Sequence, residues 1–435
     1  MQRIAVVGAG PSGIFAVNGL LARDDVLVDV IDRSPTPFGL VRYGVAPDHL
    51  KIKSVERKFT QTMVDPRVSF HGNVEVGRDV SLAELRASYA AIVLATGAAR
   101  SRRLGIPGDD LPGHIPAGQF VDWYNSRPGA SRPAGIPARR VAVIGAGNVA
   151  LDSARVLLKA GTGLAHTDVT DEVLAVLDRR PTNELTMVIR RGAADTKFSP
   201  AELLDLDKLE GVDILVDPED LKLIAEEEAR AGEDRFAAAR VRIFRKWSAT
   251  PATGAPKVLR FRFREAPVRI LGDDRVEALE LSGERGVSRL PVDTVVSAIG
   301  YNGERIDGAP FDDRRGRIVN DRGRVAPGIY TVGWAKRGPS GVIGSNKSCA
   351  AETVALLLED LPSIPVAVGL RGIAPLLHAR GRRVVDWRGW TAIDAAETAV
   401  GASKGRLRTK IADHDRLVEI ALGRTLAPTL KETES

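Results

Sequence analysis

The chain has 435 residues, 44% of them hydrophobic and 27% charged, with Lys plus Arg at 62 against Asp plus Glu at 56 and a formal net charge of +6. That length predicts two or three domains with sizeable cores, and the modest positive excess, with no long basic run and no interleaved aromatics, argues against nucleic acid but suits an acidic protein partner. One cysteine, Cys349, excludes disulfide scaffolding, a CxxC redox pair and a thiolate-held iron–sulfur cluster within a single chain.

The chain opens with Ile4-Ala-Val-Val-Gly8-Ala-Gly10-Pro-Ser12-Gly13. The short apolar run Ile4–Val7 predicts a parallel strand buried on both faces. Gly8 permits a tight turn, Gly10 lets backbone approach a pyrophosphate, and Gly13 lets the following helix (Ile14, Phe15, Val17, Leu20, Leu21) pack closely on the strand. Free N–H groups at the start of that helix would receive the pyrophosphate. A second strand, Val26–Ile31, ends at Asp32, a carboxylate able to accept hydrogen bonds from a ribose diol. With strand, helix and carboxylate in place, the motif predicts a dinucleotide site rather than a purely structural turn. Which dinucleotide it holds is not written in these residues.

Residues 34–49 form a loop stiffened by Pro35, Pro37 and Pro47 that carries Arg42, Tyr43 and His49. It lies beyond the carboxyl end of a strand, where such sheets build their sites, although a plain surface loop would have the same composition. Lys51–Met63 has helical character, Val68–Val76 reads as a strand whose end can contact an adenine, and Ala91–Gly97 as a buried strand ending the first doubly wound unit. A Pro-, Gly- and Arg-rich connection runs from Arg100 to Arg140.

The opening then repeats as Val141-Ala-Val-Ile-Gly145-Ala-Gly147-Asn148-Val149-Ala150-Leu151, with an apolar helix through Leu158. Ala150 replaces the third glycine, which places the helix slightly farther from the turn. The next strand, Leu185–Ile189, ends in Arg190 and Arg191 where the first copy has Asp32. Cations there favour a 2′-phosphate, so this copy is expected to hold NADP(H), although paired arginines are also ordinary solvated surface. Asp195–Leu209 is a loop entering a helix capped by Ser199, with Glu202 at the third position of a capping box.

Residues 212–290 are expected to hold strands and a charged loop around Ala229–Pro256, without chemistry. Val292–Ile299 closes the second sheet near Gly300. The Gly328–Lys347 loop, with Trp334 among glycines, suits backbone lying against a flat ring, with helical N–H groups facing its negative charge. A helix is expected over Ser348–Leu361. Beyond Pro365 the chain reads as a basic tail with helical stretches at Ala392–Ala399 and Lys410–Leu422. No apolar run reaches the length of a membrane span, and the first apolar stretch is too short and glycine-rich for a signal peptide, so a cytoplasmic protein is expected.

Two dinucleotide motifs in this order, Pro37-Phe-Gly-Leu40-Val-Arg-Tyr-Gly-Val-Ala-Pro47-Asp-His49, and Gly333-Trp-Ala-Lys-Arg-Gly-Pro-Ser-Gly341-Val-Ile-Gly344 make residues 3–361 resemble the adrenodoxin reductase-like ferredoxin–NADP+ reductases, the bacterial members above all. The resemblance implies an α/β protein of two Rossmann-like dinucleotide-binding domains, the NADP domain (104–326) inserted into the FAD domain (1–103 and 327–435). It implies FAD on Gly8, Gly10, Ser12, Gly13, Asp32, Leu40, Val76, Trp334, Gly341, Val342 and Ile343. NADP(H) would meet Gly145, Gly147, Asn148, Val149, Ala150, Leu151, Arg190, Arg191, Glu202 and Gly341.

His49 and Asp205 would orient groups near the nicotinamide or relay a proton, or else form a structural hydrogen-bonding pair. The family more often has Glu at the positions of Asp32 and Asp205; the shorter side chain keeps the charge and reduces the reach. The implied activity is electron transfer from NADPH through FAD to a small acidic ferredoxin by a monomeric enzyme. A FAD/NADPH-dependent monooxygenase and a non-catalytic redox-sensing module are the alternatives. A disulfide-type flavoenzyme would need a second cysteine.

Overall fold

Short, fully apolar strands set the frame. The structure, a computed structural model, describes residues 1–222, 225–341, 343–364 and 371–423. Contacts divide the chain into two compact units, Met1–Arg100 with the residues from Tyr301 on, and Ser101–Gly300. The second is therefore nested in the first, as expected.

In the first unit, β1 (Gln2–Val7) leads through a glycine turn into α1 (Pro11–Leu20), then β2 (Val26–Asp32), a loop with the short helix α2 (Leu40–Tyr43), β3 (Val68–Gly72) and β4 (Ala91–Leu94). Ile4, Ala5 and Val6 have no exposed surface and Val7 only 5%, the burial on both faces that a central parallel strand requires. The sheet order is Arg324–Ala326, Ile329–Thr331, β4, β1, β2, β3, parallel except for its first pair. The chain leaves β1 on one side for β2 and returns on the other as β4, which makes the carboxyl end of β1 the switch point where such sheets bind ligands.

The second unit repeats the plan with six parallel strands ordered His114–Pro116, Thr294–Ser297, Arg140–Ile144, Glu184–Ile189, Lys257–Phe263, Val212–Val216. A three-stranded antiparallel sheet, Glu265–Pro291, covers Ala142, Ile144 and Val188 on one face. Among the described residues, no helix is long and apolar enough to cross a membrane.

Several expectations need correction. The return to the first unit falls at 300 rather than 326, because Ile306 and Ile318, with Phe311 and Val325 against them, join the core that lies on β1 and β4. The third strand stops at Gly72, where Asn73 turns the chain at φ +62°, and Val76 keeps only a single bridge to Val80. The charged stretch expected as a loop contains the helix Arg235–Ser248, capped by Asp234, with Val241, Phe244 and Trp247 buried on one face. Alternating basic residues on its other face mask that periodicity.

The supposed tail is core as well. The helices Trp387–Ala402 and His414–Ala421 insert Trp390, Ile393, Leu417 and Val418 beside Phe38 and Phe70 of the first unit. Pro365 lies outside the described residues.

Candidate functional site

The first glycine turn is built by exclusion. Gly8 sits at φ +111°, and a Cβ there would lie 2.4 Å from the Ala95 carbonyl oxygen; at Gly13 it would lie 1.9 Å from the Gly8 oxygen. Neither position tolerates a side chain, and both bring backbone together. Gly10 differs, since a Cβ there would meet only the Gly39 Cα, at 4.0 Å. The space beside it at the start of α1 is left by the protein, and a pyrophosphate on the helical N–H groups fits that cradle.

Asp32 is already at work without a ribose. One oxygen accepts the Ala9 N–H at 2.7 Å and the other the Ser34 N–H at 2.8 Å, so the carboxylate ties the end of β2 to the turn. Phe38 donates its N–H to the Ala9 oxygen at 2.9 Å, and Gly39, at φ +48°, packs on Gly10, where a Cβ would come within 2.9 Å. Leu40 follows, 37% exposed at the head of α2. Ser12 meets the distant loop, because a Cβ on Gly333 (φ +65°) would lie 2.0 Å from the Ser12 hydroxyl.

Trp334 follows in a short helix, Gly333–Arg337, its indole N–H on the Ser340 oxygen at 3.1 Å and its ring stacked on Tyr301 with centroids 6.4 Å apart. Arg337 ties this loop to the helix Ser345–Asp360 through Ser345 Oγ and Asn346 Oδ1, at 3.1 and 2.8 Å. Gly341 is exposed at φ +80°, Ile343 packs partly on the core, and Val342 lies outside the described residues. Glycine turn, Asp32, Leu40 and the Trp334 loop thus belong to one end of one sheet. Val76 is half-buried against the core on β1 and β4.

Arg42 and Tyr43 do not supply exposed chemistry to their loop. Both are buried, and Arg42 Nη2 reaches the two oxygens of Glu397 at 2.5 and 2.6 Å. Burial opposes the Arg42 charge, but the adjacent carboxylate outweighs it and holds the guanidinium well above its usual range; burial pushes the Tyr43 phenol up. The sequence did carry a trace of this partner: Glu397 is the lone carboxylate on the otherwise apolar 390, 393, 397, 401 face of its helix.

In the second unit Gly145, at φ +150°, would place a Cβ 2.5 Å from the Ala298 oxygen, whereas Gly147 has nothing within 4 Å. The open cradle therefore recurs at the second glycine of the second copy. Ala150 and Leu151 have no exposed surface and Val149 packs on the core, so these three offer backbone rather than side chains. Asn148 is committed: its Oδ1 accepts the Ser199 N–H at 2.9 Å. Ser199 Oγ caps the Glu202 N–H at 3.2 Å, but the return half of a capping box is replaced by the bond to Asn148, and the Glu202 carboxylate lies 3.8 Å from Arg155.

Arg190 and Arg191 are exposed at the end of Glu184–Ile189, and neither guanidinium meets a partner among the described residues. His49, the residue before the helix Leu50–Lys53, belongs to the first unit. Asp205 belongs to the second and pairs with Lys208 at 2.5 Å.

Two largely parallel sheets, each with a glycine turn and an open cradle at its switch point, define a pyridine-nucleotide oxidoreductase with two dinucleotide folds. The family model described as pyridine nucleotide-disulphide oxidoreductase matches residues 2–192. The NADPH-ferredoxin reductase FprA of Mycobacterium tuberculosis is 40% identical over 97% of this chain and 99% of its own length. Human mitochondrial NADPH:adrenodoxin oxidoreductase is 37% identical over 96% and 91%. The solved structure of Mycobacterium tuberculosis FprA in complex with NADPH superposes with a TM-score of 0.93 at 39% identity, over 97% of this chain and all of that one. The chain belongs to the adrenodoxin reductase-like ferredoxin–NADP+ reductases.

Proposed function

We propose that this protein is a ferredoxin–NADP+ reductase that takes electrons from NADPH and delivers them, by way of FAD, to a ferredoxin-type iron–sulfur protein. The observation that carries this reading is the asymmetry of its two cradles: the first strand–turn–helix is followed by a strand ending in the carboxylate Asp32, the second by a strand ending in the exposed pair Arg190 and Arg191. FAD, when bound, supplies the exchange between a two-electron donor and a one-electron acceptor.

The residues supply binding and orientation. The Gly8–Gly13 turn offers N–H groups to the pyrophosphate of FAD, and Asp32 accepts from the adenosine ribose. Leu40, Val76, Trp334, Gly341 and Ile343 surround the flavin. The Gly145–Leu151 turn takes the pyrophosphate of NADPH, Arg190 and Arg191 its 2′-phosphate, and Glu202 and Gly341 its nicotinamide half. His49 and Asp205 position groups beside the nicotinamide or hold a proton there. A net charge of +6 suits an acidic partner, and the enzyme works as a monomer in the cytoplasm.

The test is anaerobic mixing of the yellow holoprotein with NADPH, followed by a ferredoxin and cytochrome c. Loss of the yellow absorbance and ferredoxin-dependent cytochrome reduction are expected. A flavin that stays oxidised removes the enzymatic reading, and substrate hydroxylation once oxygen is admitted, without ferredoxin-dependent cytochrome reduction, replaces it with a monooxygenase.

A further inference from the structure

Buried charge joins the loop after β2 to the helix Trp387–Ala402, and the chemistry described above makes no use of it. The side chains of Arg42 and Glu397 are 1% and 0% exposed. The rings of Tyr43 and Trp390 stand 5.1 and 5.2 Å from the guanidinium carbon. Glu397 also accepts the Ile411 N–H at 3.0 Å and approaches Arg408 Nη1 at 3.4 Å.

Such a pair is weak as a stabiliser, because desolvating both charges consumes most of their attraction and apolar residues of similar volume often hold a fold as well. What it provides is one geometry, since a buried charge-assisted contact of Nη2 with both carboxylate oxygens does not slide as methyl groups do. That geometry is imposed on α2, whose preceding residues touch the pyrophosphate turn. Phe38 bonds the Ala9 oxygen while at φ +79°, a strained region for a residue with a Cβ, and Gly39 rests on Gly10. Strain of this kind persists only where the surroundings over-determine it. The edges of Trp387 and Trp390 against the Phe38 ring, at 6.4 and 5.7 Å, come from the same C-terminal helix.

We propose that Arg42 and Glu397 are a positioning pair for the flavin, by which the C-terminal helix holds residues 38–40 against Gly10 and keeps the pyrophosphate turn preformed. This rests on the reading that the first turn holds FAD. Without the pair the 38–40 segment samples other conformations, and apparent affinity falls with the fraction that remains competent.

The test compares the holoenzyme with Glu397→Gln, Arg42→Lys and the apolar double variant Arg42→Met/Glu397→Met. It reads thermal midpoint, FAD dissociation by the fluorescence of released flavin, and visible circular dichroism of bound flavin. Glu397→Gln is expected to lose both stability and FAD. The double variant is expected to recover the wild-type midpoint while its FAD Kd stays raised about tenfold, as for a competent fraction of about one tenth, with an altered dichroic band. Arg42→Lys, which keeps the charge without the planar guanidinium between the Tyr43 and Trp390 rings, is expected to fold and to shift Kd and the band in the same direction.

A double variant that binds FAD with wild-type Kd and dichroism overturns the proposal, as does Arg42→Lys doing so if the double variant does not fold. A wild-type protein that retains no FAD would instead overturn the cofactor reading itself.

Discussion

In the proposed function, Arg190 and Arg191 would carry the choice between the phosphorylated and unphosphorylated nicotinamide nucleotides. They are exposed at the end of a strand and have no side-chain partner among the described residues, so replacing both with Ala leaves the core untouched. The KM for NADPH is expected to rise by the equivalent of about 1.5 to 3 kcal/mol for each lost charge-assisted bond, while that for NADH barely moves; steady-state kinetics with both nucleotides checks this, and equal effects would refute the assignment. The glycines divide in the same way between fold and function. Gly8→Ala forces a side chain into a left-handed turn against the Ala95 oxygen and should lower stability by about 1 to 3 kcal/mol from backbone strain alone. Gly147→Ala, at φ −122° in open space, should leave the melting temperature unchanged and weaken NADPH binding, as titration of the holoenzyme would show. At this scale the sequence was readable where a residue has only one reason to be there, as in the spaced glycines. The partners of Asn148, Asp32 and Arg42, which are Ser199, Ala9 and Glu397, were not legible because they are chosen by tertiary structure.

Among the elements, β1, β2, β4 and their counterparts in the second unit were legible because a strand buried on both faces must be continuously apolar. The helix Arg235–Ser248 was not, and Trp387–Ala402 was read only over Ala392–Ala399, since their exposed faces carry arginines or small residues that hide the buried stripe. Val68–Val76 was overextended because alternation persists in its composition past the point where Asn73 turns the backbone. The helix Leu82–Ser88 shows how local and distant bonds combine: Glu84 closes a capping box with Ser81 and also meets Arg380. The Arg380 guanidinium, with the Ser81 N–H and hydroxyl, holds the Glu84 carboxyl down to about 2 from 4.5. A folded pKa below the unfolded one means that this contribution is full above about pH 4.5 and is lost as pH falls toward 2. Glu84→Gln is therefore expected to flatten the acid limb of the melting temperature against pH in that window while leaving the difference from wild type constant above it.

For the whole molecule, two dinucleotide folds were visible as a repeated motif, their nesting was implied by the family resemblance, and the return point was displaced by 26 residues because the Tyr301–Ala326 segment carries no motif of its own. Net charge acts at this scale too. With a surplus of six cations, docking of an acidic ferredoxin should be steered by attraction, so the rate of ferredoxin reduction is expected to fall as salt shortens the Debye length to about 8 Å and below; a rate indifferent to ionic strength would argue against steering.

The nested arrangement also bears on how the chain comes off the ribosome. The sheet of the first unit places Ile329–Thr331 beside β4 and seats Gly333 on Ser12, so the first hundred residues wait for partners made more than two hundred residues later. Ser101–Gly300 is continuous and needs nothing from outside its own span to complete its sheet. Domains generally mature as units during synthesis, so the unit that is second in sequence is expected to finish first, while the amino-terminal segment remains a client for chaperones. Proteolysis of stalled nascent chains of increasing length should find 101–300 resistant before 1–100, and the reverse order would contradict this.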